Sequence, residues 1–385
     1  MAFRKRNVAV GLNQNPPGSN SAPTTIPSSG IRPSSLRSQP VTSTGTESLD
    51  DILGGHSGLS LGSSLLVEES GTTDFSGALL RYYAAEGILH GHVIHLVGPG
   101  QAWTDAWIRE LPGVVEEKSS RKAEPVAGDD EKMRIAWRYE KLGKAGERVL
   151  PNRSAALPAN DLRSSKPFCH SFDLTKRLVI PPDAKINHIS IAPTSRPLDS
   201  VIKSLSRSLQ SSPAHTIHRL VVPTILSPAL WPPNTARPEI FLQFLHSLRS
   251  LLHEYSNSFT CMLTLPLELY PRTSGLVRWA EILSDGVLEL TPFPHLMDAS
   301  NSLVESGGAR GNDEQPQGML KVHKLPVNTE RGEGGAGAGN SMGDDLAFTV
   351  SRRHFKIKPF SLPPVEGDQE AQQEAGQITK KDVEF

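Results

Sequence analysis

The residues best placed to do chemistry form a short run, Glu68-Glu69-Ser70-Gly71-Thr72-Thr73-Asp74, between an apolar segment and a helical one. A loop that leaves a strand and enters a helix is where a nucleotide-binding protein holds phosphate, because the first amides of the helix are bare donors at the positive end of its dipole. The phosphate-binding version reads Gly, four residues, Gly-Lys, then Ser or Thr, so that backbone N–H groups and an ammonium meet the phosphates. This run has one glycine, no lysine, and carboxylates at both ends. A lysine about 4 Å from a phosphate is worth roughly 4 kcal/mol at an effective dielectric near 20, and a carboxylate there repels with the same order of magnitude. The loop has the position of a phosphate cradle and the wrong charges for one.

Other groupings fail on their mechanics. The metal-holding half of a nucleotide site is an apolar strand ending in Asp, whereas Leu220-Val221-Val222 runs into Pro223-Thr224. Independent ATP hydrolysis is therefore not expected. Gly58-Leu59-Ser60-Leu61-Gly62 fits the G-x-S-x-G pattern, but a nucleophile elbow follows a strand and opens a helix, and this one precedes the strand. The 13 histidines include His92-x-x-His95, His215-x-x-His218 and the pair Cys169-His170. Zinc sites usually show CxxC or HxxxH spacing, and neither occurs, so structural or surface histidines are expected. The sequence thus predicts no catalytic residue, no metal site and no cofactor.

The elements that must hold this loop read off the hydrophobic periodicity. Ser48 to Leu53 is a short helix stopped by Gly54-Gly55, and Ser63 to Val67 is a buried strand. Phe75, Ala78, Leu79, Tyr82 and Glu86 fall at helical spacing with Gly87 as the stop, and His92 to Val97 is the next strand. Strand, loop, helix and strand make a βαβ unit with a right-handed crossover. Further on, the pattern predicts helices at Gln101–Arg109, Leu198–Leu209, Phe241–Tyr255 and Leu276–Leu283. It predicts strands at Ile135–Tyr139, Ile217–Val222, Phe259–Leu265 and Gly286–Leu290, then an antiparallel extension at Met319–Leu325 and Leu346–Phe355. Alternating helices and strands give an α/β fold: a mostly parallel sheet with helices on both faces.

Composition sets the bounds. Of the 385 residues, 37% are hydrophobic, ample for one large core. Residues 1–45 are rich in Pro, Ser and Thr and are expected to form a disordered tail. A domain at 46–364 carries exposed insertions near 116–132, 142–166, 299–317 and 330–345, and 365–385 is a polar tail. A net charge of −1 gives no global pull toward nucleic acid, so any RNA contact must be local. Cys169 and Cys261 are too few for a disulfide framework. No apolar run approaches a membrane span, and no apolar stretch follows Arg4-Lys5-Arg6 to make a secretory signal.

Several motifs together resemble a known family. They are S-L-D-D-I-L-G-G at 48–55, L-G-S-S-L-L-V-E-E at 61–69 and T-x-x-F-S-x-x-L-L-R-Y-Y-A-A-E-G at 72–87. Further matches are Arg134 to Tyr139, Phe168 to Leu174, Leu220 to Pro223 with Leu226 to Leu230, Val322 to Pro326, Ser351 to Arg353, and Leu362 to Pro364. This set is similar to the PAXNEB family, the fourth subunits of the Elongator complex and a degenerate branch of the RecA-like ATPase fold. The chain departs from the family at His56-Ser57 and Ser60, where a further glycine and a proline are usual.

The resemblance implies a RecA-like domain and a non-catalytic subunit that forms a hetero-hexameric ring with Elongator proteins 5 and 6. It also implies docking on the Elongator catalytic core, tRNA as a partner, support of 5-carboxymethyl-type modification of wobble uridines, and residence in cytoplasm and nucleus. Glu68 to Asp74 would then be part of a subunit contact. The loops facing the ring pore would present Trp231, Arg237, Tyr270, Arg272 and Arg278 to RNA, with rings to stack on bases and guanidiniums to meet phosphates. The alternative is a ring NTPase whose hydrolysis uses groups supplied by its partners.

Overall fold

The computed structural model describes residues 28–34, 40–53, 57–115, 167–191, 194–293, 316–326, 345–351 and 353–360. In chain order the elements are β1 (Ile31–Pro33), β2 (Pro40–Thr42), α1 (Glu47–Ile52), β3 (Leu59–Ser60), β4 (Ser64–Glu69), α2 (Phe75–His90), β5 (Val93–Gly98), α3 (Gln101–Arg109), β6 (Pro112–Val114) and β7 (Phe172–Arg177). They continue with β8 (Lys185–Ser190), α4 (Pro197–Ser211), β9 (His218–Val222), α5 (Pro238–Glu254), β10 (Phe259–Pro266), α6 (Gly275–Leu283), β11 (Gly286–Pro292), β12 (Gly318–Lys324), β13 (Leu346–Val350) and β14 (Phe355–Pro359).

The main sheet has nine strands in the order β14-β13-β12-β11-β4-β10-β9-β5-β8. The pairs from β11 across to β8 are parallel, and β12, β13 and β14 extend the sheet antiparallel. β4, β5 and β9 are buried along their whole length, as strands covered on both faces must be. One apolar cluster joins the sheet to α4, α5 and α6 through Val201, Leu205, Phe241, Phe244, Leu248 and Val277. A second joins it to α1, α2 and α3 through Leu49, Leu79, Tyr83 and Trp107, and continues under β14 with Phe355 and Ile357. This is the RecA-like α/β arrangement expected, with Pro197 and Pro238 opening α4 and α5 in the first turn, where a proline costs no hydrogen bond.

Several boundaries differ from the sequence reading. The helix expected to stop at Gly87 continues to His90 and ends at Gly91, which has φ 75°. Gly87 serves close approach instead: a Cβ there would sit 2.6 Å from Arg219 Cδ and from Ile94 Cδ1. The single strand expected over 346–355 is a hairpin, β13 and β14, its turn closed by Ser351 N–H donating to the His354 carbonyl at 2.9 Å. The polar edge strand β8 lacks an apolar run and had no signal. Gly54-Gly55, the strand at Ile135–Tyr139, the insertions at 116–132 and 142–166, most of 299–317 and 330–345, and the tail at 365–385 lie outside the described residues.

The unstructured tail expected up to residue 45 is also corrected in part. β1 and β2 pair antiparallel and β2 pairs with β3. Little apolar burial holds this strap; buried polar groups do. Asp50 accepts from Ser43 Oγ at 2.5 Å, Thr44 N at 2.8 Å and Thr44 Oγ1 at 2.6 Å. Burial nevertheless pushes the Asp50 carboxyl up to about 6. The fully buried Arg219 donates to Thr42 Oγ1 at 2.6 Å, the Tyr83 carbonyl at 2.8 Å and His92 Nδ1 at 3.0 Å. Its guanidinium also lies 4.6 Å from the Tyr83 ring centroid.

Two histidines from different HxxH pairs meet across the sheet. His95 Nε2 lies 2.9 Å from His218 Nδ1 with the rings stacked, and both residues are buried. Burial, then the neighbouring charge of His218, depresses His95 to about 3, and burial depresses His218 to about 4. Below the ordinary histidine value of 6.5 the unfolded chain takes up protons that the folded one refuses. Their contribution is therefore intact above pH 6.5 and is lost as the pH falls toward 4. By pH 5 the loss is about 2 kcal/mol for each imidazole. Buried Asp50 and Glu68, raised in the fold, take up protons over the same range and offset this loss. The check therefore compares urea midpoints of the parent and of His95→Leu between pH 7.5 and pH 5. The parent should lose stability relative to the variant, and parallel profiles overturn this account.

Candidate functional site

β4 runs on through Glu68 and Glu69, so these two carboxylates belong to the strand and not to the loop. Successive residues of a strand face opposite sides, and the two acids accordingly enter different surroundings.

Glu69 turns toward the start of α2. Its Oε1 accepts from Phe75 N at 2.9 Å and Thr73 Oγ1 at 2.7 Å, and its Oε2 accepts from Ser76 N at 2.8 Å and Ser76 Oγ at 2.6 Å. The carboxylate is 4% exposed. These are the first-turn amides that hold phosphate in a nucleotide-binding βαβ unit, and an anion there is favoured by the helix dipole as well. The anion is the protein's own. A phosphate entering this place would have to displace all four hydrogen bonds to the carboxylate.

Ser70, Gly71, Thr72, Thr73 and Asp74 form the turn, with Gly71 at φ 94°. Gly71 N donates to Glu268 Oε1 at 2.8 Å. Asp74, exposed, pairs with Arg81 at 2.9 Å, and Arg81 also reaches Glu110 at 2.9 Å. A Cβ on Gly77 would lie 2.1 Å from Asp74 Oδ1, so the turn folds tightly back onto the helix.

Glu68 faces the other side. The parallel register sets Glu289 of β11 directly beside it. Arg272 stands among the acids: its Nε is 2.7 Å from Glu281 Oε1 and 3.4 Å from Glu68 Oε2, and its Nη1 is 3.4 Å from Glu289 Oε2. His323 Nε2 closes the group at 2.7 Å from Glu289 Oε2. Burial pushes the fully buried Glu68 carboxyl up to about 8, Glu281 adds to the rise and Arg272 opposes it. The cluster lies at the carboxyl ends of β4 and β11, where an open α/β sheet places ligands, and internal ion pairing fills it.

The residues offered to RNA therefore separate. Trp231 is 3% exposed and donates Nε1–H to the Pro223 carbonyl at 3.2 Å, so it presents no face to a base and the stacking expectation is corrected. Tyr270 is half-buried, its hydroxyl donating to the Leu226 carbonyl at 3.1 Å. Arg272 is engaged by three carboxylates. Arg237 is exposed and paired with Glu239, and Arg278 is exposed. Sequence reasoning missed Trp279, which stands 51% exposed beside Arg278, with Ile282 46% exposed one turn on. Its signal was its place off the stripe Val277, Ala280, Leu283 that α6 buries.

At the second nucleotide-site position, β9 ends at Val222, and Thr224, at φ 37°, has its N–H bonded to Thr264 Oγ1 at 2.7 Å. No carboxylate stands there among the described residues.

The family model described as PAXNEB protein matches residues 23–385. The chain is 35% identical to Elongator complex protein 4 of Schizosaccharomyces pombe, over 90% of this chain and 91% of that one. It is 28% identical to Elongator complex protein 4 of Saccharomyces cerevisiae, over 87% of this chain and 76% of the relative. It is 26% identical to the Homo sapiens protein of that name, over 94% and 86%. A family match spanning residues 23–385 and a relative 35% identical over nine tenths of the sequence place the chain in the PAXNEB family.

Proposed function

We propose that this chain is a non-catalytic subunit of the Elongator complex. It acts in a hetero-hexameric RecA-like ring with Elongator proteins 5 and 6, in the cytoplasm and nucleus. The ring binds tRNA, docks on the catalytic core and supports 5-carboxymethyl-type modification of wobble uridines. The names of the relatives support membership of the Elongator complex. The observation that carries the non-catalytic reading is Glu69 seated on the first amides of α2, where a nucleotide would need its phosphates. With that seat taken, the turn Ser70 to Asp74 and the start of α2 serve as subunit contact. Exposed Arg237 and Arg278 are the side chains proposed to meet tRNA phosphates. Among the described residues no helix is long and apolar enough to cross a membrane.

The rival reading, a ring NTPase completed by its partners, is separated by one experiment. The full-length chain and the ring reconstituted with the two paralogous subunits are titrated with a fluorescent ATP analogue, with and without Mg²⁺, and then with an anticodon-stem RNA. The expected result is no nucleotide binding by the chain or by the ring, and RNA binding by the ring. Mg²⁺-dependent nucleotide binding by either overturns the non-catalytic reading in favour of the NTPase, and a ring that ignores the RNA overturns the tRNA assignment.

A further inference from the structure

Away from the loop, Glu86, His90 and His170 converge, their ligand atoms all within 4.8 Å of one another. Glu86 and His90 stand one turn apart on α2, and His170 comes from the segment leading into β7. Glu86 Oε1 lies 2.8 Å from His90 Nε2 and 3.0 Å from His170 Nδ1. Glu86 and His90 side chains are fully buried and that of His170 is 13% exposed.

The surroundings fix these groups in place. The backbone N–H of His170 donates to Glu86 Oε2 at 3.1 Å. His90 Nε2 faces the acceptor Glu86 Oε1 at 2.8 Å and donates its N–H there, the proton that a bound metal would replace, while Ser29 Oγ lies 3.0 Å from His90 Nδ1. Such an outer partner on the far ring nitrogen is what orients a metal-binding imidazole. The Phe168 carbonyl is 3.3 Å from the same Nε2. On the open side His170 borders a cavity of about 700 Å³ lined also by Cys169, Tyr82, Asp51 and His354. The cavity supplies an entry path and room for water.

We propose that Glu86, His90 and His170 form a divalent metal site of the zinc class, with water from the cavity completing four-coordination. Two imidazoles and one carboxylate suit zinc, where magnesium or calcium would demand more oxygen ligands. Residues i and i+4 of a helix share one face, so α2 supplies two ligands from a rigid element and His170 closes the set. A bound ion fastens the segment before β7, and through Ser29 the N-terminal strap, to α2. The sequence held one signal, Glu86-x-x-x-His90; a search for His and Cys pairs passes over it. The inference stands independently of the ring reading.

The test uses the full-length chain without an affinity tag, loaded with Zn²⁺ alone, passed over chelating resin and analysed for metal. About one zinc per chain is expected, lost in His170→Ala and His170→Gln with at least a tenfold weaker affinity, and kept in the surface control His246→Ala. Cobalt substitution of the unaltered chain should give the visible absorption of a four-coordinate site, which keeps the question open to test if the variants misfold. No zinc above buffer level in the unaltered chain overturns the proposal, as does zinc held equally by the His170 variants.

Discussion

Replacing Arg219 with methionine is expected to destabilise the chain by about 3–5 kcal/mol, the range for removing one member of a buried charge network. The side chain is 0% exposed, and its three donors span elements far apart in sequence: the Tyr83 carbonyl of α2, His92 ahead of β5 and Thr42 of β2. Methionine roughly matches its volume, so little of the loss comes from a cavity. The loss comes from orphaned polar groups and from buried Asp50 and Glu86, whose negative charge lies in the field of the guanidinium. Urea unfolding measures the total. Limited proteolysis within residues 28–45 should accelerate, because Thr42 loses its anchor. A methionine variant within 1 kcal/mol of the parent would show that the buried cation is dispensable.

Reversing the charge at Glu69 should cost about 3–4 kcal/mol, as several charge-assisted hydrogen bonds disappear and an ammonium meets the positive end of α2. Glu69→Ala is the more informative partner. It should cost about 2 kcal/mol, near the upper end for losing a helix-capping acceptor. It should also create an anion site that the parent lacks. Phosphate added to Glu69→Ala should raise its melting temperature and leave the parent unchanged. If alanine is tolerated without loss and phosphate does nothing, Glu69 does not fill a phosphate seat.

How far the sequence disclosed this molecule depended on what holds each part together. α4 and α5 were legible because their buried residues recur at helical spacing on one face. β4 and β10 were legible as apolar runs, but the end of β4 was not: charged residues rarely extend a buried strand, so Glu68 and Glu69 read as loop. The strap of β1 and β2 read as disordered because it has few bulky apolar groups, and what orders it is hydrogen bonding to Asp50, His90, His92 and Arg219. At the candidate site the anionic loop was visible locally. Its internal partners were not, since Arg272 meets acids on β4, α6 and β11 that only the fold brings together. Gly87 misled for the same reason, its neighbour Arg219 being distant in the chain.

The seat taken by Glu69 also bears on redesign. A lysine introduced into the turn would find a waiting carboxylate and pair with it before any nucleotide arrived. Deleting that carboxylate first would leave bare amides and a weakened helix start. Each single change toward nucleotide binding thus runs uphill, so residue 69 and the turn would have to be altered together.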